Sequence, residues 1–165
     1  MISAEGLNRS DWTETAKIST VAPDGTHKMY FFKVRESHPV AYGKENTDRF
    51  IQYATKPNGK TMIEGEYHSL MAIHDLIPTF APKPYAWGKL KSSGWYFLLM
   101  DYIHLNQQDI DTEKLCEQLV KMHKASVSPT GKFGFHMTTC HGPAQNTEWE
   151  SSWCVYFTSL LKQFF

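Results

Sequence analysis

The sequence carries no excess of either charge. Seventeen Lys and Arg balance seventeen Asp and Glu, giving a formal net charge of zero and a pI of about 7.1. No basic surplus points to nucleic acid or to an anionic membrane. No stretch approaches the ~18 consecutive apolar residues that a membrane-spanning helix requires. The first fifteen residues hold no apolar run of the secretory kind, so no signal peptide is expected. Three cysteines, Cys116, Cys140 and Cys154, form no C-x-x-C pair. An odd number with no such pair, they predict reduced thiols in a cytoplasmic protein. No internal repeat or low-complexity tract is present.

Aromatic residues, by contrast, are abundant at 14%, with ten Phe, eight Tyr and five Trp. Hydrophobic residues make up 41% and charged residues 21%, which is sufficient to form a packed core. A length of 165 residues is room for one ordinary domain, or for a small lobe and part of another.

Residues 13–21 are rich in β-branched types and read as a strand, and Pro23-Asp24-Gly25 supplies turn chemistry. Lys28–Arg35 (KMYFFKVR) reads as the second strand of a hairpin. Residues 36–60 read as a long connection with one short helix near Asn46–Tyr53. Thr61 to about Ile77 predicts a helix ended by Pro78. Strands are expected at Tyr85–Leu90 and at Trp95–Met100 (WYFLLM), joined by a turn at Lys91–Gly94. Asp111 is placed to cap a helix running to about Ala125, with Glu117 and Lys121 spaced for an i,i+4 pair. A loop over Pro129–Gly142 and a last helix from Glu148 onward complete the order: strands, helix, strands, then helices only.

Two charges stand where charges are costly. On KMYFFKVR, Met29, Phe31 and Lys33 share one face, and Tyr30, Phe32 and Val34 share the other. Both faces are apolar, which predicts a strand covered on both sides and an ammonium in a buried row. The bland alternative is an edge-strand lysine reaching to water. On the following helix, Met62, Ile63, Leu70, Ile73 and Ile77 all lie within roughly 60° of Glu66, while Glu64 points to the opposite, solvated face. Glu66 therefore needs a cation, and Lys33 is the candidate. A purely structural ion pair remains the competing reading. A strand lysine paired with a glutamate on the next helix is also how protein-kinase-like folds hold ATP phosphates. In such a fold, Met100-Asp101-Tyr102-Ile103 would be the hinge, whose backbone reads the adenine edge.

From here the residues carry a family resemblance. Met62-Ile63-Glu64-Gly65-Glu66, Pro82-Lys83-Pro84-Tyr85-Ala86-Trp87-Gly88 and Leu119-Val120-Lys121-Met122-His123 resemble the fructosamine/ketosamine 3-kinases, with the fungal protein-ribulosamine 3-kinases nearest. The most specific run is Lys132-Phe133-Gly134-Phe135-His136, followed by Thr139, Gly142, Trp149 and Trp153. The resemblance extends from about Ser10 to Phe165.

It implies an α+β, protein-kinase-like fold of the aminoglycoside-phosphotransferase type. Residues 1–105 would be the N-lobe and hinge, with an antiparallel sheet and one main helix. Residues 106–165 would begin an incomplete helical C-lobe. It implies ATP as cofactor, Mg2+ in a full-length protein, and glycated protein lysines (ketosamine or ribulosamine adducts) as substrate, phosphorylated on the sugar 3-hydroxyl so that the adduct falls away. By position, Lys33 would meet the phosphates and Glu66 would orient it. Met100, Asp101, Tyr102 and Ile103 would receive adenine, and Asn8–Thr13 would cover the phosphates.

Two departures follow. That covering loop has no glycine between Gly6 and Gly25, so the hydroxyls of Ser10 and Thr13 would have to serve. The family's His-Gly-Asp catalytic segment does not occur in these 165 residues, nor does its later metal-binding Asp. No catalytic or metal residue is therefore assigned, and the chain alone is expected to be inactive. A strand preceding Ser3 is also expected and missing.

Other clusters have simpler readings. His136, Cys140 and His141 match no zinc spacing and read as loop. Asp109 and Asp111 read as helix-capping residues, and His123 as a core histidine. Trp149 and Trp153 read as core, with a sugar-lining role as the alternative. In the last helix, Trp149, Trp153, Tyr156, Phe157, Leu160, Leu161 and Phe164 recur at three- and four-residue steps. Left open, this stripe could support self-association. Two functions stay open beside the ketosamine kinase: a non-catalytic remnant binding nucleotide or a partner, and a kinase of the same fold acting on aminoglycosides or choline-like alcohols.

Overall fold

The computed structural model describes residues 1–9, 13–36, 59–91, 94–105, 109–141, 144–146 and 148–163. The short helix expected near Asn46–Tyr53 lies outside them, as do parts of the Lys91–Gly94 turn. Five strands, β1 (Ile2–Arg9), β2 (Glu14–Val21), β3 (His27–Glu36), β4 (Pro84–Lys89) and β5 (Trp95–Asp101), form one antiparallel sheet in the order β1-β2-β3-β5-β4. Helix α1 (Gly59–Leu76) runs between β3 and β4 in the chain and lies on one face of the sheet. Helix α2 (Thr112–Ala125), a short hairpin β6 (Thr139–His141) and β7 (Ala144–Asn146), and helix α3 (Trp153–Leu161) follow.

The hairpin at Pro23–Gly25 forms as its residue types require. Asp24 Oδ1 accepts the Thr26 amide at 2.9 Å, and Gly25 takes a φ of 83°. Helix α1 stops where Pro78 disfavours a helical Ile77. The core lies between α1 and the facing side of the sheet. Ile63 and Leu98 are fully buried and Met100 nearly so, with Phe31, Tyr67, Leu70, Trp87 and Tyr96 around them. Full burial of Ile63 and Leu98 contributes on the order of 1.5–3 kcal/mol each.

Several expectations are corrected. Ile2–Arg9, for which no strand is expected from sequence, forms the edge strand β1 of the sheet. Its composition (Glu5, Gly6, Asn8) hides it. Pairing to β2 holds it, with cross-strand ion pairs Glu5–Lys17 and Arg9–Glu14 on matching register positions. Strand β3 is not sandwiched among the described residues: α1 covers the Phe31 and Lys33 side, while Tyr30, Phe32 and Val34 stay half-buried on the outer side, where Phe32 stacks on Phe97.

The tail is not helices only, because β6 and β7 intervene. The last helix starts at Trp153, not Glu148, since the Glu150 backbone is engaged with Phe133 through paired 2.8 Å hydrogen bonds. On α2, Asp111 caps as expected, accepting the Lys114 amide at 3.1 Å. The Glu117–Lys121 pair does not form among the described residues; Lys114 pairs instead with Asp111. His123 is exposed, not core, because no residue of α2 is buried.

Candidate nucleotide site

Alternation along β3 sends Phe31, Lys33 and Arg35 toward α1, and three- and four-residue steps along α1 bring Ile63, Glu66 and Leu70 to the same interface. Lys33 Nζ stands 2.6 Å from Glu66 Oε1. The side chains are 19% and 28% exposed, so the pair is shielded yet still reachable from solvent. An ammonium has three donors and Glu66 engages one, leaving capacity for an anion. Glu64 is not solvated as expected: its side chain is only 23% exposed, and Lys60 Nζ lies 3.8 Å away, one turn earlier.

Deeper on the same face, Arg35 is 7% exposed and its Nη1 donates to Met62 Sδ at 2.7 Å. Burial lowers the Arg35 pKa, and the nearby Cys140 partly opposes this. Burial pushes the Cys140 thiol up, with Arg35 pulling it back. Cys140 reaches this position because β6 runs against α1 at Gly65. A Cβ there would collide with the Thr138 carbonyl oxygen and lie 3.3 Å from its carbonyl carbon, so only glycine allows the approach.

The predicted hinge leaves the sheet at Asp101, the last residue of β5. Met100 faces the core and is 9% exposed. No hydrogen bond is seen to the backbone of Tyr102 or Ile103 among the described residues, so these groups are open to a ligand edge. The side chain of Asp101 is engaged on the outer face of the sheet: Tyr85 Oη donates to Oδ1 at 2.6 Å, and the Lys83 amide donates to Oδ2 at 3.3 Å. Sequence reading missed Tyr85. Nothing in the sequence marks it: Tyr85 becomes a bulged residue through a register shift of β4 between Pro84 and Ala86. The expected phosphate cover is the β1–β2 connection: Asn8 and Arg9 end β1, Thr13 precedes β2, and Ser10 lies outside the described residues.

Elsewhere, Lys132–His136 and α3 line a cleft of about 990 Å³ together with Leu76 and Val127. Neither Lys33 nor Glu66 lines it, so it is separate from the charged pair. Gly134, at φ 154°, lies so close to Trp149 that a Cβ would come within 2.8 Å of the ring. Trp149 is half-buried as expected, but Trp153 is 53% exposed and so is not core. No cluster of three His, Cys, Asp or Glu side chains that could hold a metal occurs among the described residues. No helix among them is long and apolar enough to cross a membrane. All three cysteines are free thiols.

A five-stranded antiparallel sheet, a single helix on its inner face and a strand-lysine to helix-glutamate pair define a protein-kinase-like α+β fold. The crystal structure of a Haemophilus somnus protein, provisionally assigned as a fructosamine-3-kinase, has the same fold. It superposes on 97% of this chain and 45% of its own, with a TM-score of 0.62 and 19% identity. The profile of the fructosamine kinase family matches residues 11–160, and the chain belongs to that family. Among similar proteins, the chloroplastic protein-ribulosamine 3-kinase of Oryza sativa subsp. indica is 32% identical over 111 residues, covering 64% of this chain and 32% of the rice protein. The corresponding protein of Arabidopsis thaliana is 32% identical over 110 residues, covering 66% of this chain and 33% of its own. The chain thus spans about a third of the length of these relatives.

Proposed function

We propose that this chain binds ATP and forms the nucleotide-holding part of a ketosamine 3-kinase acting on ribulosamine or fructosamine adducts of protein lysines. The observation that carries this reading is the Lys33–Glu66 contact at 2.6 Å, on a face still reachable from solvent. Glu66 holds the ammonium in one direction, and its remaining donors meet the polyphosphate. Backbone groups from Asp101 to Ile103 receive the adenine edge.

In the transfer itself, the bond between the γ-phosphorus and the leaving oxygen breaks and a bond to the sugar 3-oxygen forms. The hydroxyl proton passes to a base. No His-Gly-Asp segment to supply that base occurs among the 165 residues, so the chain by itself is proposed to bind without transferring. Mg2+ accompanies ATP in such kinases, but the described residues offer no cluster of His, Cys, Asp or Glu to hold it.

Titration calorimetry with ATP tests the reading. Heat of binding is expected for the wild type and strong weakening for Lys33→Met. Absence of binding by the wild type, or unchanged binding by the variant, sinks it. A second reading, a non-catalytic remnant that self-associates, is favoured by the open face of α3, where Trp153, Phe157 and Leu161 are all exposed.

A further inference from the structure

We infer that Tyr85 is a positioning residue for the adenine end of the nucleotide site, acting through Asp101. The inference rests on the nucleotide-binding reading above and adds to it a residue that touches no ligand.

Asp101 is the last residue with ladder support before the chain leaves the sheet. Three contacts fix it to the start of β4. Its amide donates to the Lys83 carbonyl at 2.9 Å, its Oδ2 accepts the Lys83 amide at 3.3 Å, and its Oδ1 accepts the Tyr85 hydroxyl at 2.6 Å. A short O–H···O⁻ bond is charge-assisted and roughly twice as strong as a neutral one. The bulge at Tyr85 aims its ring across the outer face, where it meets Tyr30 edge-on at 5.3 Å. Lys28 Nζ stands 4.5 Å from the Tyr85 ring centroid and 5.2 Å from that of Tyr30, and Lys83 Nζ lies 5.7 Å from Tyr85. The hydroxyl is therefore held by its ring as well as by its acceptor, and the bond to Asp101 raises the Tyr85 pKa.

This clamp sits on the face opposite Lys33, since Met100 faces the core and Asp101 alternates away from it. It cannot touch the polyphosphate held by Lys33. What it fixes is the exit direction of Tyr102 and Ile103, whose backbone has no other support among the described residues. Recognition of a base edge by backbone groups tolerates displacements of only about 0.5 Å. Loss of the clamp should therefore weaken adenine binding selectively.

The experiment compares ATP with inorganic tripolyphosphate on the wild-type chain and on Tyr85→Phe, by calorimetry. Tyr85→Phe is expected to weaken ATP roughly five- to tenfold, less than the full value of one charge-assisted hydrogen bond because only the cost of re-ordering the hinge reaches the ligand, and to leave tripolyphosphate within about twofold. Asp101→Asn keeps one acceptor oxygen where two are used, and is expected to weaken ATP about threefold while leaving tripolyphosphate unchanged; should Tyr85→Phe fold poorly, unchanged ATP affinity in Asp101→Asn overturns the inference in its place. Unchanged ATP affinity in Tyr85→Phe, or equal weakening of both ligands, overturns the inference while the nucleotide reading stands. A wild-type chain that binds no ATP overturns both.

Discussion

Lys33 on β3 and Glu66 on α1, 33 positions apart in the chain, meet at 2.6 Å across the interface between sheet and helix. Neither residue suits its surroundings alone: Glu66 stands in the apolar stripe of α1, and Lys33 lies between Phe31 and the buried Arg35 on the face of β3 that meets it. Their meeting removes the conflict for both. Partial exposure limits the pair's value to stability to about 1 kcal/mol or less.

A double-mutant cycle on Lys33→Met and Glu66→Gln is therefore expected to give a coupling energy of about 0.5–1 kcal/mol in urea unfolding. Either single variant should lose far more in ATP affinity than in stability. Parallel losses in the two measurements would make the pair structural.

Gly65 allows the Thr138 backbone to touch α1. Gly65→Ala is expected to destabilise the chain by about 1–3 kcal/mol, since backbone must shift to admit the methyl group. Chemical denaturation measures this. A change within a few tenths of a kcal/mol would show that β6 moves away freely.

Burial raises the Cys140 thiol above its ordinary value. The stability it contributes is fully present below the unfolded thiol pKa of about 8.5 and is lost as pH rises through the higher folded value. Maleimide labelling followed by peptide mapping at pH 7 should therefore modify the exposed Cys116 and Cys154 well before Cys140. Equal labelling of all three would contradict the burial.

The exposed row Trp153, Phe157 and Leu161 on α3 is expected to bind an apolar fluorescent dye. Phe157→Ser should cut that signal and lower the melting temperature by only about 2–4 °C, because the residue is 45% exposed and loses chiefly its stacking on Trp153. If the wild type gives no dye signal, the face is already covered, and sedimentation would then show whether a second copy covers it.

How much of this was legible in the sequence varies from element to element. The end of α1 before Pro78, the Asp111 cap and the Asp24–Gly25 turn are local matters, set by fixed φ values and short side-chain acceptors, and they stand where the residues put them. The Lys33–Glu66 pair was legible for another reason: both charges break an apolar period, and a broken period marks a partner. Strand β1 was hidden because its residues are poor strand formers, and only the ladder to β2 makes them one. The start of α3 was misplaced because backbone pairing between Phe133 and Glu150 outweighs the helical spacing of Trp149.

The sequence alone thus determined the elements whose energetics are local, and the charged residues that local energetics could not accommodate. Tertiary structure alone decided the Tyr85–Asp101 clamp, the approach of Cys140 to Arg35 and the exposure of His123 and Trp153. These depend on strand register, on a one-residue bulge and on which faces find a neighbour. Such contacts join positions far apart in the chain, and no periodicity within one element encodes them.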